Sequence, residues 1–261
     1  MLAKESYLSN MNEINFLKTN NEKFLFNTIN EGDGLELLRN LPNNSVQLVI
    51  FDPQYRNIDE VAPINSKRIK IPFHSQPLYD QSQMDITTFF KEIERVLKPS
   101  GFVILWIDDN ILIKTTFKQW ITTNLKIKEI LIWVKKRFLA LGWNKFRKQC
   151  EYALLIQKRP FKRLENIQKE NRSIGNVFNE FVKINNRHHT HQKPLEMTKT
   201  IIQQLTQEED LIVDPCAGSF VSLSACQELK RNFLGTDLTF RQLMQFNINK
   251  KRSRELLKQI K

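Results

Sequence analysis

Short apolar runs alternate along the chain with segments in which apolar residues recur every three or four positions. The short runs predict buried strands at 46–51, 102–107, 127–134, 152–157, 210–214 and 232–236. The segments between them predict helices that begin near Asp33, Asp85, Asp108 or Asp109, Pro194 and Ser219, with a basic helix from about Phe240. Strands that alternate with helices favour an α/β fold with a doubly wound, mostly parallel sheet.

Three segments have little periodicity. Residues 1–23 are polar and rich in Asn, which predicts a loose leader. Residues 56–84 follow a strand end and contain several basic residues among prolines, which is typical of a mobile substrate loop. Residues 158–190 predict a small insertion. We therefore predict one domain over 1–261, which includes a mobile loop at about 56–84 and a small insertion at about 158–190.

The chain is strongly basic, with 40 Lys and Arg against 28 Asp and Glu and a net charge of +12. A polyanion partner, nucleic acid before an anionic membrane, is the leading interpretation, and a merely soluble basic protein is the alternative. No run approaches the roughly 18 apolar residues of a membrane span. The three cysteines lack metal-ligand spacing, which predicts reduced thiols, no metal site and a cytoplasmic protein.

The strand at 46–51 ends in Asp52, Pro53, Gln54 and Tyr55. Ligands of open α/β sheets bind outside the carboxyl ends of the strands. The Asp52 carboxylate and the Pro53 carbonyl can accept hydrogen bonds from an amino group, and the Tyr55 ring can stack on a planar ring. These residues predict a clamp for a planar amine such as a nucleobase. An ordinary strand-to-turn junction is the alternative.

A second candidate site follows the strand at 210–214. Small residues after this strand allow close approach of a ligand to the backbone, and the next strand ends at Asp237, an acid suited to ribose hydroxyls. The turn consists of Asp214, Pro215, Cys216, Ala217, Gly218 and Ser219. Together these features predict a nucleoside-type cofactor, with a plain tight turn as the alternative.

Residues 135–163 contain ten basic side chains and a single acid, Glu151, with aromatic residues among them. Basic residues interleaved with aromatic ones suit contact with phosphates and stacking on bases. A solvated loop beside an aromatic core edge is the alternative.

The pairing of Asp52-Pro53-Gln54-Tyr55 with Asp214–Ser219 resembles the amino-group DNA methyltransferases that use S-adenosyl-L-methionine. The catalytic motif precedes the cofactor motif, which is the order of their β group. Further matches are Gly32-Asp33, Val96–Gly101, Trp133–Lys135, Glu151-Tyr152, His191–Pro194 and Phe233–Asp237. The resemblance covers about residues 30–250. It implies the methyltransferase type of α/β fold, with 158–190 as a target-recognition region.

The resemblance also implies roles for individual residues. The target base would flip out of the duplex, and Asp52, Pro53, Gln54 and Tyr55 would form the catalytic motif. The implied cofactor-binding residues are Asp33, His191, Lys193, Asp214, Pro215, Cys216, Ala217, Gly218, Ser219, Asp237 and Leu238. For His191, simple capping of the next helix is the alternative. The predicted DNA-binding residues are Arg56, Lys67, Arg68, Lys135, Lys136, Arg137, Arg147 and Lys148.

Three departures from the family pattern stand out. Gln54 replaces a second proline, Phe220 replaces a glycine, and Val221-Ser222 replace threonines. The leading Asp52 favours transfer of a methyl group to adenine N6 in DNA. The alternatives are a cytosine-N4 methyltransferase and a catalytically silent, basic nucleic-acid-binding subunit. A homodimer and a restriction endonuclease partner are compatible with the resemblance.

Overall fold

The computed structural model describes residues 23–53, 83–135, 140–141, 147–162, 174–180 and 192–238. The strands are β1 Asn30–Glu31, β2 Val46–Phe51, β3 Leu97–Ile107, β4 Leu125–Val134, β5 Ala140–Leu141, β6 Arg147–Lys148, β7 Cys150–Lys158, β8 Val177–Phe178, β9 Leu211–Asp214 and β10 Asn232–Asp237. The helices are α1 Gly34–Arg39, α2 Gln83–Val96, α3 Asp109–Lys114, α4 Leu195–Leu205 and α5 Val221–Glu228, with a 3₁₀ turn at Thr116–Gln119 after α3.

One eight-stranded sheet lies at the centre of the part of the chain that the structure describes. Its strand order is β1-β10-β9-β2-β3-β7-β4-β8, and β5 and β6 pair separately. Among these eight strands β7 runs antiparallel to its neighbours β3 and β4, and the other described pairings are parallel. The predicted α/β fold with a mostly parallel sheet is therefore confirmed. Part of the predicted insertion, Val177–Phe178, joins this sheet beside β4.

The helices cover both faces of the sheet. One face packs α1 and α2 over a core that contains Phe51, Phe90 and Leu105. The other face packs α4 and α5 over Ile50 and Ile212. From β2 the chain crosses to β3 on one side, whereas from β9 it crosses to β10 on the other side. The strand order therefore reverses between β2 and β9, and this is where a sheet of this kind binds ligands.

Local signals locate most helix starts correctly. The Asp33 carboxylate accepts a hydrogen bond from Glu36 N at 2.8 Å and begins α1, and Asp108 accepts one from Ile111 N at 2.7 Å and begins α3. The expected start of α2 at Asp85 is wrong, because the helix already begins at Gln83. The strand expected at 102–107 begins at Leu97, since a register shift lets Leu97 pair with Val46 before Phe102 pairs with Leu48. None of the described helices combines the length and apolar composition that crossing a membrane requires.

Candidate active site

Asp52 lies at the carboxyl edge of the sheet, directly after β2. Its Oδ2 accepts a hydrogen bond from Lys193 Nζ at 2.7 Å. The Asp52 side chain is 39% exposed, whereas that of Lys193 is only 12% exposed. Pro53 is buried beside it. A half-exposed carboxylate is thus held by a mostly buried ammonium at the place where the sequence predicts an amine clamp. Gln54 and Tyr55 lie outside the described residues.

Lys193 has two further neighbours at this edge. Its Nζ lies 3.0 Å from Glu151 Oε2 and 4.5 Å from the centroid of the Trp106 ring. Burial lowers the pKa of this ammonium, but the charges of Asp52 and Glu151 outweigh burial and raise the pKa above its usual value. Lys193 is therefore a fixed positive charge at neutral pH.

Glu151 connects Lys193 to a second lysine. Its other carboxylate oxygen accepts a hydrogen bond from Lys135, whose Nζ lies 4.9 Å from the centroid of the Trp133 ring. Burial raises the pKa of Glu151, but Lys193 and Lys135 together bring that pKa down to about 2. Asp52, Lys193, Glu151 and Lys135 thus form one ion-pair network, in which two negative and two positive charges balance.

The second half of the site is the turn after β9. Asp214 is buried, and its carboxylate accepts hydrogen bonds from the Ser222 hydroxyl and from Cys216 N, the latter at 3.3 Å. Burial raises the pKa of Asp214, and the nearby charges of Asp52 and Asp237 add to this rise. The two hydrogen bonds oppose it, and the pKa comes to about 7. Asp214 therefore fixes the turn to the first turns of α5.

Asp237 closes this turn from β10. Its Oδ2 accepts a hydrogen bond from Gly218 N at 3.1 Å, and Gly218 has the left-handed backbone (φ 49°) that favours glycine. Ala217 N donates to Thr236 O at 3.0 Å, so the turn is tied to β10 by its backbone as well. Leu238, the next residue, is 47% exposed.

Helix α1 approaches the same turn from the other side. A Cβ placed on Gly34 would lie 2.1 Å from the Pro215 carbonyl oxygen, so this contact requires glycine. Asp33, which precedes Gly34, is exposed. The edge beside the turn therefore presents the acceptors Asp33 and Asp237 around small residues. These carboxylates can accept hydrogen bonds from the hydroxyl and amino groups of a nucleoside.

Comparison with known proteins places the chain in a family. The family model described as DNA methylase matches residues 46–246, a range that includes Asp52, the turn at 214–219 and Asp237. The chain belongs to the DNA methylase family.

Two relatives are type II methyltransferases from Haemophilus. The methylase is 34% identical over 216 residues to M.HhaII of Haemophilus parahaemolyticus, which covers 82% of this chain and 92% of that protein. It is 26% identical over 270 residues to M.HinfI of Haemophilus influenzae, which covers 92% of this chain and 71% of that protein.

Solved structures share the fold at lower identity. The M1.HpyAVI–SAM complex matches with a TM-score of 0.57 and 19% identity, over 83% of this chain and 98% of that one. PvuII DNA methyltransferase, which is cytosine-N4-specific, matches with a TM-score of 0.58 and 15% identity, over 81% of each chain. The fold of the methylase is therefore shared by a cytosine-N4-specific enzyme.

The methylase fold brings most of the described predicted site residues to one edge. Asp52, Asp214 and Asp237 end neighbouring strands, and Asp33 joins them through the α1 contact. Lys193, which the resemblance places among the cofactor-binding residues, forms ion pairs with Asp52 and Glu151. The predicted site residues that lie outside the described part of the chain are Gln54, Tyr55, Arg56, Lys67, Arg68, Lys136, Arg137 and His191.

The basic stretch at 135–163 is divided between the two edges of the sheet. Lys135 lies at the carboxyl edge, where its ammonium bonds Glu151. Because β7 runs antiparallel, Lys158 and Arg159 lie at the opposite edge. There Arg159 Cζ lies 4.9 Å from the centroid of the Phe161 ring, and Lys158 Nζ donates to Leu97 O at 2.7 Å. Arg147 and Lys148 form β6, whose backbone pairs with β5.

Two residues of the site are absent from the sequence prediction as functional groups. For Trp106 the sequence predicts only a position in a buried strand. For Glu151 it offers only one position of a match to the family pattern. A signal for Glu151 was nevertheless present, because it is the single acid among ten bases in its stretch. A lone carboxylate in such surroundings is expected to bind the neighbouring cations.

Proposed function

We propose that this chain transfers a methyl group from S-adenosyl-L-methionine to the N6 amino group of adenine in DNA, as a β-group enzyme with an Asp-Pro-Gln-Tyr motif. The observation that carries the proposal is the Asp52 carboxylate at the switch point of the sheet, with one oxygen held by Lys193. Among the described residues the other oxygen, Oδ1, has no hydrogen-bond partner, so it can accept from an amino group.

The chain's own residues supply the amine half of the site. The lone pair of an adenine amino nitrogen is delocalised into the ring, so the nitrogen attacks poorly unless its hydrogens are held by acceptors. Asp52 Oδ1 and the Pro53 carbonyl would accept these hydrogens, and Tyr55 would stack on the base. The proton that the nitrogen loses on methylation would be held at Oδ1. A target atom inside the duplex is out of reach, so the base must flip out.

The cofactor half is proposed from the acceptors beside the 214–219 turn. S-adenosyl-L-methionine supplies an electrophilic methyl group when it is bound, and the M1.HpyAVI–SAM complex shares the fold of this chain. Asp237 would accept from the ribose hydroxyls, with Asp33 near the adenine ring. Leu238 and the backbone of Cys216, Ala217, Gly218 and Ser219 would pack against the cofactor, and His191 would lie near its methionine part.

DNA phosphates would be contacted by the remaining basic residues of the sequence prediction: Arg56, Lys67, Arg68, Lys136, Arg137, Arg147 and Lys148. The Lys135 ammonium is bonded to Glu151 and its side chain is only 16% exposed, so the proposal leaves Lys135 out of this set. Both Haemophilus relatives are named type II methyltransferases, which supports a partner restriction endonuclease in the same system.

The test is transfer of labelled methyl from S-adenosyl-L-methionine to amplified, unmethylated DNA, followed by mass spectrometry of the nucleosides. The proposal expects N6-methyladenine. It also expects that Asp52→Ala abolishes transfer while the Kd for the cofactor stays within about 2-fold, because Asp52 acts on the amine.

Other products would select other functions. N4-methylcytosine would replace adenine by cytosine as the substrate, as in the cytosine-N4-specific enzyme of the same fold. Tight DNA binding without any methyl transfer would favour the silent subunit. Methylation-aware sequencing of DNA from expressing cells would then identify the recognition sequence.

A further inference from the structure

The Lys193 ammonium has three partners at this edge of the sheet. Its nitrogen lies 2.7 Å from Asp52 Oδ2, 3.0 Å from Glu151 Oε2 and 4.5 Å from the centroid of the Trp106 ring. An ammonium has three N–H groups, so the two carboxylates already engage most of its donors.

The sheet fixes these partners. Trp106 lies in the core of β3 and is only 5% exposed, and Glu151 pairs in register with Trp133 across β7 and β4. Side chains on strands are held more closely than side chains on loops. Glu151 and Trp106 therefore form a rigid binding site for the Lys193 ammonium.

The backbone that carries Lys193 is fixed from the other side. Pro194 precedes α4, and Met197 N in the first turn of that helix donates to Glu180 Oε2 at 2.9 Å. Trp133 Nε1 donates to Glu180 O at 2.8 Å. The same edge of the sheet therefore holds both the start of α4 and the binding site for the Lys193 ammonium. The lysine thus spans two anchored parts of the fold.

From these contacts we infer that Lys193 is a positioning residue, which Glu151 holds against Asp52 so that Oδ2 is occupied and Oδ1 is turned to the target amino group. A carboxylate free to rotate would offer either oxygen in many orientations. One bonded through Oδ2 has a fixed plane. The inference rests on the proposed function for its amine, and it assigns Lys193 to the amine half of the site rather than to the cofactor.

The experiment compares Glu151→Gln, Lys193→Gln and Lys193→Arg with the wild type. Glu151→Gln keeps the shape of the side chain and removes its charge. Glu228→Gln is the matched control, because it removes a partner of Lys199 at 2.6 Å on the outer helices α4 and α5, away from Asp52. The measurements are single-turnover methyl transfer and the calorimetric Kd for S-adenosyl-L-methionine.

Glu151→Gln and Lys193→Gln are expected to slow the single-turnover rate about 10- to 100-fold, since misplacement of a reacting group costs this much. Their Kd for the cofactor should stay within about 2-fold, and Lys193→Arg should recover part of the rate. Glu228→Gln should match the wild type. A wild-type rate in Glu151→Gln, or a Kd weakened 10-fold or more in Lys193→Gln, would overturn the inference.

A readout without catalysis separates this inference from the proposed function. An ammonium bonded to two carboxylates exchanges slowly with water, so Lys193 should give its own ¹H–¹⁵N signal, identified by its loss in Lys193→Arg. Asp52→Asn and Glu151→Gln should each shift or remove that signal, whereas Glu228→Gln should not. If the wild type transfers no methyl group, the proposed function fails, and this signal still decides whether Glu151 and Asp52 share Lys193. A signal unchanged by both substitutions refutes the sharing.

Discussion

Phe220 begins α5 with a backbone that phenylalanine rarely adopts. Its φ is 54° and its ψ is 31°, in the left-handed region, and its side chain is 3% exposed. The ring packs edge-to-face on Phe233 with 6.3 Å between centroids. Glycine adopts this backbone without steric cost. Burial of the ring thus offsets a strained backbone.

The two contributions can be separated by Phe220→Ala and Phe220→Gly. Loss of a buried phenylalanine ring costs about 3–5 kcal/mol in either variant. Alanine keeps the left-handed strain of about 1–2 kcal/mol, which glycine relieves. Glycine also makes the unfolded chain more flexible, which lowers the stability of Phe220→Gly by about 0.4–1 kcal/mol. Phe220→Gly is therefore expected to be more stable than Phe220→Ala by about 1 kcal/mol.

Urea denaturation, followed by far-UV circular dichroism and tryptophan fluorescence, measures this difference. Ala225→Gly is the control, because Ala225 lies inside α5 and glycine there should destabilise by about 1 kcal/mol. Glycine should be more stable than alanine at position 220 and less stable than alanine at position 225. This difference in sign identifies the left-handed backbone at position 220. If Phe220→Gly were the less stable of the pair, the strain at Phe220 would not exist and the reasoning would fail.

Three further predictions concern the site. The folded-state pKa of Asp214, about 7, lies above the ordinary carboxyl value of 3.8. Its contribution to stability is therefore complete below pH 4 and is lost as the pH rises through 7, by on the order of 4 kcal/mol. Asp214→Asn should flatten this slope in urea titrations at pH 5 and pH 8, and an unchanged slope would contradict the assignment. Gly34→Ala should weaken calorimetric binding of S-adenosyl-L-methionine about 10-fold or more by pushing α1 from Pro215, whereas Gly175→Ala, with open space around it, should not. Lys135→Gln should slow methyl transfer but leave the salt dependence of DNA affinity unchanged, whereas a slope smaller by about 0.9 would show a phosphate contact.

The sequence predicts those parts of the fold that depend on local pattern. β2 is found at Val46–Phe51 because six mostly apolar residues stand between turn signals, and α1 is found because Asp33 can cap it. The end of α3 is not readable, since Thr115 ends it in a left-handed conformation (φ 55°) that threonine seldom adopts. Boundaries set by backbone strain or by a register shift have no local signature.

The same distinction applies to the site. Asp52, Asp214 and Asp237 can be predicted because each ends a recognisable strand. Glu151 reaches them only because β7 runs against its neighbours, which brings the start of that strand to the edge where the parallel strands end. Nothing in the local sequence sets strand direction, so the partner of Lys193 could not be predicted from spacing.

The two halves of the site meet through the pairing of β2 with β9. Leu48 and Val49 lie beside Ile212 and Val213 in parallel register, so the residues that follow these strands, Asp52 and the 214–219 turn, leave the sheet side by side. Neighbouring strands are about 4.8 Å apart, a spacing set by backbone hydrogen bonds and a buried core. The distance between the amine proposed at Asp52 and the cofactor proposed at the turn is thus fixed by the sheet, whichever motif comes first in the chain. The order of the motifs can therefore be permuted without altering the chemistry, provided that the two strands remain neighbours at the switch point.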